Sequence, residues 1–562
     1  MAAVDAPRGT TSPSGAHPNL TRGTMIAAAL GVCVAQVGLA IPAVLNGLFQ
    51  EDLGTTSSQL TWISDAFLVP VTLLELTFGV LGDLFGRKRL LVGGAVLLGL
   101  GELIAVLTPG AGTSTGTRVL ILWIGQIIAG IGAAALFPTT LAMVAAGTHT
   151  TGHRARSITL WAAALSTGGF VSPVLGGLVT KLSFGSDEHA SWRWAFIAVL
   201  ILALVSAGVS LALAQNSSSP AGRSLDWPGQ ITIAVALFAL LFAVIQGPTS
   251  GWGSAEVVGG FLLAVVFLVL FVVAENRSEA PLLRLDLFKN RAFAIAAIVT
   301  VFGMFSFLGT AYATSIRLSA IQGFSPLKSS IAFVLINGLA LVQMPLTSRL
   351  LERYNPKWAL SGGAALIGAG DLWMAAIPAS NRSIPAIVPP LILIGIGFGF
   401  AVSAVTAVAV NTVPNHLTGM ASGSTSMLRD FGFTLGPAVI GAIALSRAAN
   451  EIQAKLDSSP TLKQALTTFN ASPSHVPAAE KASVEAAVGA VNSGPLGANG
   501  VPATITADGK TVPFNPLHET AFHALDKAYS VGYLVCGVVA LLAALLAVVA
   551  LPGGPHEALG EE

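Results

Sequence analysis

Apolar residues fall in long runs separated by short polar breaks over almost the whole chain. A membrane-crossing helix needs about 20 mostly apolar residues. Fourteen stretches qualify: 24–48, 60–81, 90–108, 119–146, 157–182, 192–214, 229–247, 255–274, 292–316, 327–350, 359–378, 385–412, 422–446 and 528–551. Helices rather than barrel strands fit these lengths, because each crossing segment then satisfies its own backbone in lipid. The pattern predicts an all-α membrane protein embedded in a lipid bilayer.

Composition agrees with the pattern. Of 562 residues, 53% are hydrophobic and only 10% charged, where soluble domains carry about 25% charged. The mean hydropathy is +0.76. Lys and Arg total 28 against 27 Asp and Glu, so no basic excess exists to hold a phosphate backbone, and nucleic-acid binding is excluded. Cys33 and Cys536 sit inside apolar runs, so there is no disulfide framework. No P-loop is present, which removes support for direct ATP drive. His149 and His153 lack an acidic partner for a metal site, and no enzyme, cofactor or metal is expected.

Residues 1–23 are polar and read as a disordered tail; 552–562 form a second tail. With the N-terminus inside, the inner segments hold fifteen Lys and Arg and the outer ones six. Positive charge marks the cytoplasmic side, so both termini are expected in the cytoplasm, with the chain in the plasma (inner) membrane of a bacterium. Residues 447–527 then lie outside and are too polar for lipid. Ala448–Phe469 and Ala478–Val491 look helical. Ala503–Ile505 and Lys510–Phe514 flank Asp508-Gly509, a hairpin turn pair. His518–Tyr529 reads as an amphipathic helix leading into the last span. The segment is expected to be a small cap packed on the outer face, or else a lid or a docking site for an envelope partner.

The chain repeats itself. Gly79–Arg89 after span 2 aligns with Ser348–Lys357 after span 10, placing Asp83 on Glu352, Gly86 on Asn355 and Lys88 on Lys357 at an offset of 269. Gly168-x-x-x-Ser172-Pro173-x-x-Gly176-Gly177 in span 5 aligns with Gly432-x-x-x-Gly436-Pro437 and Gly441 in span 13, at an offset of 264. Two six-helix halves follow (24–214, then 292–446 with 528–551), with two extra spans inserted in a 215–291 linker and the 447–527 cap interrupting the second half. Parallel repeats of this kind are a transporter plan with substrate bound at the midplane.

Here the residues resemble a family, the major facilitator superfamily, in its fourteen-span drug/proton antiporter branch of the EmrB/QacA type. Gly79, Gly82, Asp83, Gly86, Arg87, Lys88 and Arg89 are similar to the superfamily's loop motif. Gly168, Ser172, Pro173, Gly176 and Gly177, echoed by Gly436 and Pro437, resemble the antiporter motif. Ser191–Trp194, Leu225–Gly229 and Gly419–Gly436 with Leu428-Arg429 look like branch-typical stretches. The resemblance covers about residues 25–550. It implies export of hydrophobic or amphipathic small molecules by alternating access, in exchange for protons.

It also implies roles. Asp83 is expected to pair with a neighbouring base and latch the halves, a plain topology anchor being the alternative. The span 5 motif is expected to pack closely through its small residues and bend at Pro173. Two positions depart from the branch: Cys33 stands where an acid is usual in span 1, and Gln126 where an arginine is usual in span 4. Both groups are linked to proton coupling in the family. Intramembrane acids are functional candidates by default, so Glu75, Glu102 and Asp371 become candidate coupling acids, the last two nearer the outer interface. Asp65 reads as a helix-terminus residue. Gln36, Gln126, Asn337 and Gln343 are candidates for the cavity lining, with Trp123, Phe302, Phe305 and Phe307 as stacking surfaces. Trp62, Trp192 and Trp194 read as interface anchors. Cys33 and Gln126 also favour an alternative, a dedicated exporter of an endogenous lipid or secondary metabolite with atypical or no proton coupling. A non-transporting receptor or assembly factor working through the cap is the third reading.

Overall fold

A computed structural model describes residues 19–148, 151–184, 189–218, 225–279, 281–378, 380–411, 418–458, 460, 505–507, 510–512 and 516–551. Among them, fourteen helices are long and apolar enough to cross a membrane. They are α1 (Arg22–Leu53), α2 (Ser57–Phe85), α3 (Arg87–Val106), α4 (Thr115–Ala146), α5 (Thr151–Val179), α6 (Trp192–Leu213), α7 (Trp227–Ser250), α8 (Ala255–Arg277), α9 (Arg291–Ile316), α10 (Pro326–Arg353), α11 (Pro356–Ala376), α12 (Ile384–Asn411), α13 (Thr418–Ser458) and α14 (Pro516–Ala550). The face at which α1 begins is called the near face below, and the opposite one the far face.

The starts are written in polar residues. Thr21, Ser114, Ser254 and Ser325 accept from the backbone N–H three positions on in α1, α4, α8 and α10. Thr56 and Gln59 form a reciprocal capping box on α2, which satisfies two otherwise orphaned donors. Asp226 caps α7, and Asn290 and Asn355 cap α9 and α11.

Several boundaries differ from the apolar runs. α1 continues through Gln50, Glu51 and Asp52 to Leu53, because Asp52 finds buried partners at the far face. α13 runs on to Ser458 and α14 begins at Pro516, so both flanks of the expected cap prolong helices, tied by Lys527 to Glu451 at 3.2 Å. Strands β1 (Ile505–Ala507) and β2 (Lys510–Val512) pair antiparallel, Thr506 opposite Thr511. The expected turn Asp508-Gly509, the segment Ala478–Val491, His149, residues 1–18 of the first tail and all of the second lie outside the described residues, while Arg22 and Gly23 of the first tail already belong to α1.

The two halves repeat each other at atomic detail. In the α3–α4 seam a methyl at Gly101 would lie 2.5 Å from the Gly125 carbonyl, and one at Gly94 2.9 Å from that of Gly132. In the α11–α12 seam a methyl at Gly370 would lie 2.7 Å from the Pro390 carbonyl, and one at Gly363 2.6 Å from that of Gly397. Lys88 at the start of α3 donates to the Leu211 carbonyl of α6 at 2.8 Å. Lys357 at the start of α11 donates to the Leu551 carbonyl beyond α14 at 3.2 Å. Small residues facing backbone are how membrane helices approach closely.

Helices α7 and α8 are inserted between the halves. α7 packs on α2 and α13: the Gln230 amide donates to the Leu73 carbonyl and accepts from Thr77, and Ser58 donates to Gln246 at 2.9 Å. α8 lies outermost and exposes Leu262, Val265 and Val269, an apolar face suited to lipid.

Candidate functional site

The halves meet along two lateral seams. On one side α5 faces α10: a methyl at Gly177 would lie 2.6 Å from the Leu327 Cα, and one at Gly169 2.9 Å from the Asn337 side chain. On the other side α2 faces α13, and ionisable groups gather there. The Arg429 guanidinium donates to Asp430 at 2.7 Å and 3.1 Å. It also reaches Glu75 of α2 at 4.0 Å across the boundary between the halves. Glu75 is 3% exposed, and its second carboxyl oxygen has no hydrogen-bond partner. One turn away, Thr72 and Thr434 share a hydrogen bond of 2.9 Å, again across the halves. One cation held between two carboxylates, on helices from opposite halves, is a charge arrangement that relative motion or a proton can change.

At the far face the halves are joined by other groups. Asn46 of α1 donates to Ser315 of α9 at 3.3 Å, and Ser315 donates to the Ala43 carbonyl. Thr61 of α2 and Tyr312 of α9 share a hydrogen bond of 3.2 Å.

The loop motif folds as a pinned corner at the near face. Asp83, ending α2, accepts from Arg87 at 2.7 Å. Arg87 is held in turn by Ser217, its backbone N–H donating to the Ser217 carbonyl at 2.9 Å and its side chain to the hydroxyl at 3.3 Å. Gly86 has φ 98°, a conformation that costs other residues dearly, and a side chain there would strike Asn216 at 2.7 Å. Gly82 packs on Arg87, Gly79 on Pro138, and Arg89 is exposed.

The span 5 motif lies against α1. A methyl at Gly168 would lie 2.5 Å from the Cys33 carbonyl and 2.7 Å from the Gln36 Cβ. Ser172 donates to the Val37 carbonyl at 3.2 Å. Its echo lies against α9, where a methyl at Gly436 would lie 2.6 Å from the Phe305 carbonyl. Ser172 therefore keeps the close approach by hydrogen-bonding the carbonyl it meets. Gly176 packs on Ile41 and Val44 of the same α1, and Pro173 and Pro437 are internal to their helices.

The other acids depart from expectation. Glu102 and Asp371 are both 0% exposed, not interfacial, because the small-residue seams draw α3 and α11 inward around them. Glu102 points at Gly38 of α1, and neither of its oxygens has a hydrogen-bond partner. Asp371 accepts from Thr310 of α9 at 2.6 Å. Asp65 is not at a helix terminus but two turns inside α2, and is fully buried. Trp192 is not an interface anchor: it is buried and donates to Asp52 at 2.7 Å, beside Arg118 at 2.5 Å and Arg193 at 3.4 Å.

The polar cavity candidates are dispersed. Gln126 is buried with its amide unpartnered. Gln343 donates to the Ile396 carbonyl at 2.8 Å and Asn337 to the Phe333 carbonyl at 3.1 Å, while Gln36 lines the α1–α5 contact. Phe307 stacks on Phe398 with centroids 3.6 Å apart, and Phe433 stands beside it. Sequence reasoning missed Asp430 and the pairing of Arg429 with Glu75. The available signal was an adjacent Arg-Asp pair inside an apolar run.

A model of the Major Facilitator Superfamily matches residues 26–437. The chain belongs to the major facilitator superfamily. It is a membrane transporter of that superfamily, with the fourteen candidate spans of the branch its motifs resemble. It is 29% identical over 422 residues to the multidrug resistance protein Stp of Mycobacterium tuberculosis (strain CDC 1551 / Oshkosh), covering 75% of each chain. It is 26% identical over 545 residues to the tetracenomycin C resistance and export protein of Streptomyces glaucescens, covering 96% of this chain and 93% of that one. The puromycin resistance protein pur8 of Streptomyces alboniger is 27% identical over 74% of this chain and 78% of its own. A solved D-xylose-proton symporter shares the fold over 94% of this chain and 98% of its own, with a TM-score of 0.58 at 13% identity. A bacterial homolog of the lysosomal transporter Spinster, inward-facing and occupied, gives a TM-score of 0.59 at 13% identity over 94% of this chain and 96% of its own.

Proposed function

We propose that this major facilitator protein exports hydrophobic or amphipathic small molecules in exchange for protons, by rocking its two six-helix halves about a central site. The observation that carries the reading is the Glu75–Arg429–Asp430 cluster spanning α2 and α13. In this reading a proton on Glu75 loosens its hold on Arg429 and lets the near face open. Glu75 thereby takes the place of the acid that Cys33 replaces. The Asp83–Arg87 corner stays on the cytoplasmic side as the gate, both termini lie in the cytoplasm, and the membrane is the bacterial inner membrane. Multidrug and antibiotic resistance among the relatives supports the substrate class.

The test is ethidium efflux from a drug-sensitive bacterial host expressing the chain, with and without a protonophore. Efflux that the protonophore abolishes, and that Glu75→Gln lacks at equal membrane abundance, is the expected result. Efflux indifferent to both overturns the proton-exchange reading. A second reading, a dedicated exporter of one endogenous lipid or metabolite, draws on Cys33 and Gln126 and on the near-full-length likeness to the tetracenomycin C resistance and export protein. A host that gains no dye resistance from an abundant, folded protein supports it.

A further inference from the structure

Thr61, Asp65, Thr72 and Glu75 are buried polar residues of α2. Separations of four, seven and three residues put them on one stripe of a helix. Three of the four are engaged across the halves: Thr61 with Tyr312, Thr72 with Thr434, and Glu75 with Arg429. Asp65 is the exception. It is 0% exposed, and both of its carboxyl oxygens lack a hydrogen-bond partner. The ionisable group whose charge interacts with it is Tyr312 of α9. Among the described residues α4 and α13 bring it no charged partner. A bare carboxylate in such a place costs far more than a neutral carboxylic acid.

We propose that Asp65 is a second proton site of the exchange cycle, at the far end of the seam whose near end holds Glu75. The proposal rests on the proton-exchange reading above. Opening the far face has to part Thr61 from Tyr312, and that brings water to Asp65 one turn deeper. Opening the near face has to part Glu75 from Arg429. Ten residues of helix separate the two acids by about 15 Å, so one helix carries an acid at each gate and each is wetted in a different state. Only protons move: far-side water gives one to the Asp65 carboxylate while that face is open, and the gate then shuts over the neutral acid.

The experiment uses the full chain in proteoliposomes with ethidium as probe. Flux driven by an imposed pH gradient is compared with counterflow in its absence. Asp65→Asn is expected to lose the gradient-driven component by about tenfold, the scale of a typical coupling free energy, while counterflow stays within about twofold. Asp65→Glu is expected to restore gradient-driven flux with a shifted pH midpoint. A wild-type gradient response in Asp65→Asn, or equal loss of both fluxes, overturns the proposal. If the response is lost in Glu75→Gln and kept in Asp65→Asn, this proposal falls and the coupling reading stands. A wild-type protein blind to the gradient removes both. Should Asp65→Asn not fold, Tyr312→Phe decides, with slowed gradient-driven flux expected and unchanged flux contradicting.

Discussion

Glu102 and Asp371 are the same position in two copies of one design. They lie 269 residues apart, the offset of the loop motif. Each follows the glycine, Gly101 or Gly370, whose missing side chain lets its helix meet the next. The copies have diverged in polarity: Asp371 has Thr310 as partner at 2.6 Å, and Glu102 has none. Glu102→Gln is therefore expected to hold or raise the melting temperature, since an unpartnered buried acid contributes nothing to stability. Asp371→Ala, which orphans the Thr310 hydroxyl, is expected to cost about 1–3 kcal/mol. Thermal unfolding in detergent reads both, and the reverse ranking contradicts the assignment.

The Asp83 corner predicts a different phenotype. Asp83→Asn leaves Arg87 held by Ser217, so the protein is expected to insert and keep its melting temperature. Transport is expected to fall roughly tenfold, as for loss of one coupling interaction of typical size. Unchanged turnover at equal abundance reduces the corner to a topology anchor.

The span 5 motif and its echo separate two kinds of small residue. Ser172→Ala removes one hydrogen bond to the Val37 carbonyl and is expected to cost about 1 kcal/mol. Gly436→Ala adds a methyl 2.6 Å from backbone atoms of Phe305 and Gly309. Backbone cannot turn aside, so overpacking is expected to cost about 1–3 kcal/mol and push α9 from α13. Melting temperatures of the two variants should differ in that order.

Asp52 holds the far face of the N-terminal half together. Its carboxylate meets Arg118, Arg193 and the Trp192 indole N–H, all buried. Asp52→Ala strands two guanidiniums, which is expected to cost about 3–5 kcal/mol, with a red shift of tryptophan fluorescence. A variant as stable as wild type contradicts this role.

The sequence made the fold readable because lipid leaves few options. Apolar runs long enough to cross, short polar breaks and a repeat in Gly79–Arg89 and Gly168–Gly177 led to fourteen helices in two halves. Positions set by local chemistry were also legible, as with Gly86 at its positive φ and Asp83 four residues before Arg87. Depth inside the bundle was not. Glu102, Asp371, Asp65 and Trp192 each looked interfacial from their distance to a run's end. Their burial depends on which helices pack over them, a tertiary property that linear spacing does not carry. Likewise Glu75 and Arg429 are more than 350 residues apart, and only the packing of α2 on α13 joins them.

The central claim is that proton exchange passes through that inter-half cluster. The most direct measurement records ethidium movement and intravesicular pH together in proteoliposomes, for wild type and Glu75→Gln. The account predicts that wild type moves protons opposite to ethidium, and that Glu75→Gln exchanges ethidium without moving protons. Wild-type proton movement in Glu75→Gln would contradict it.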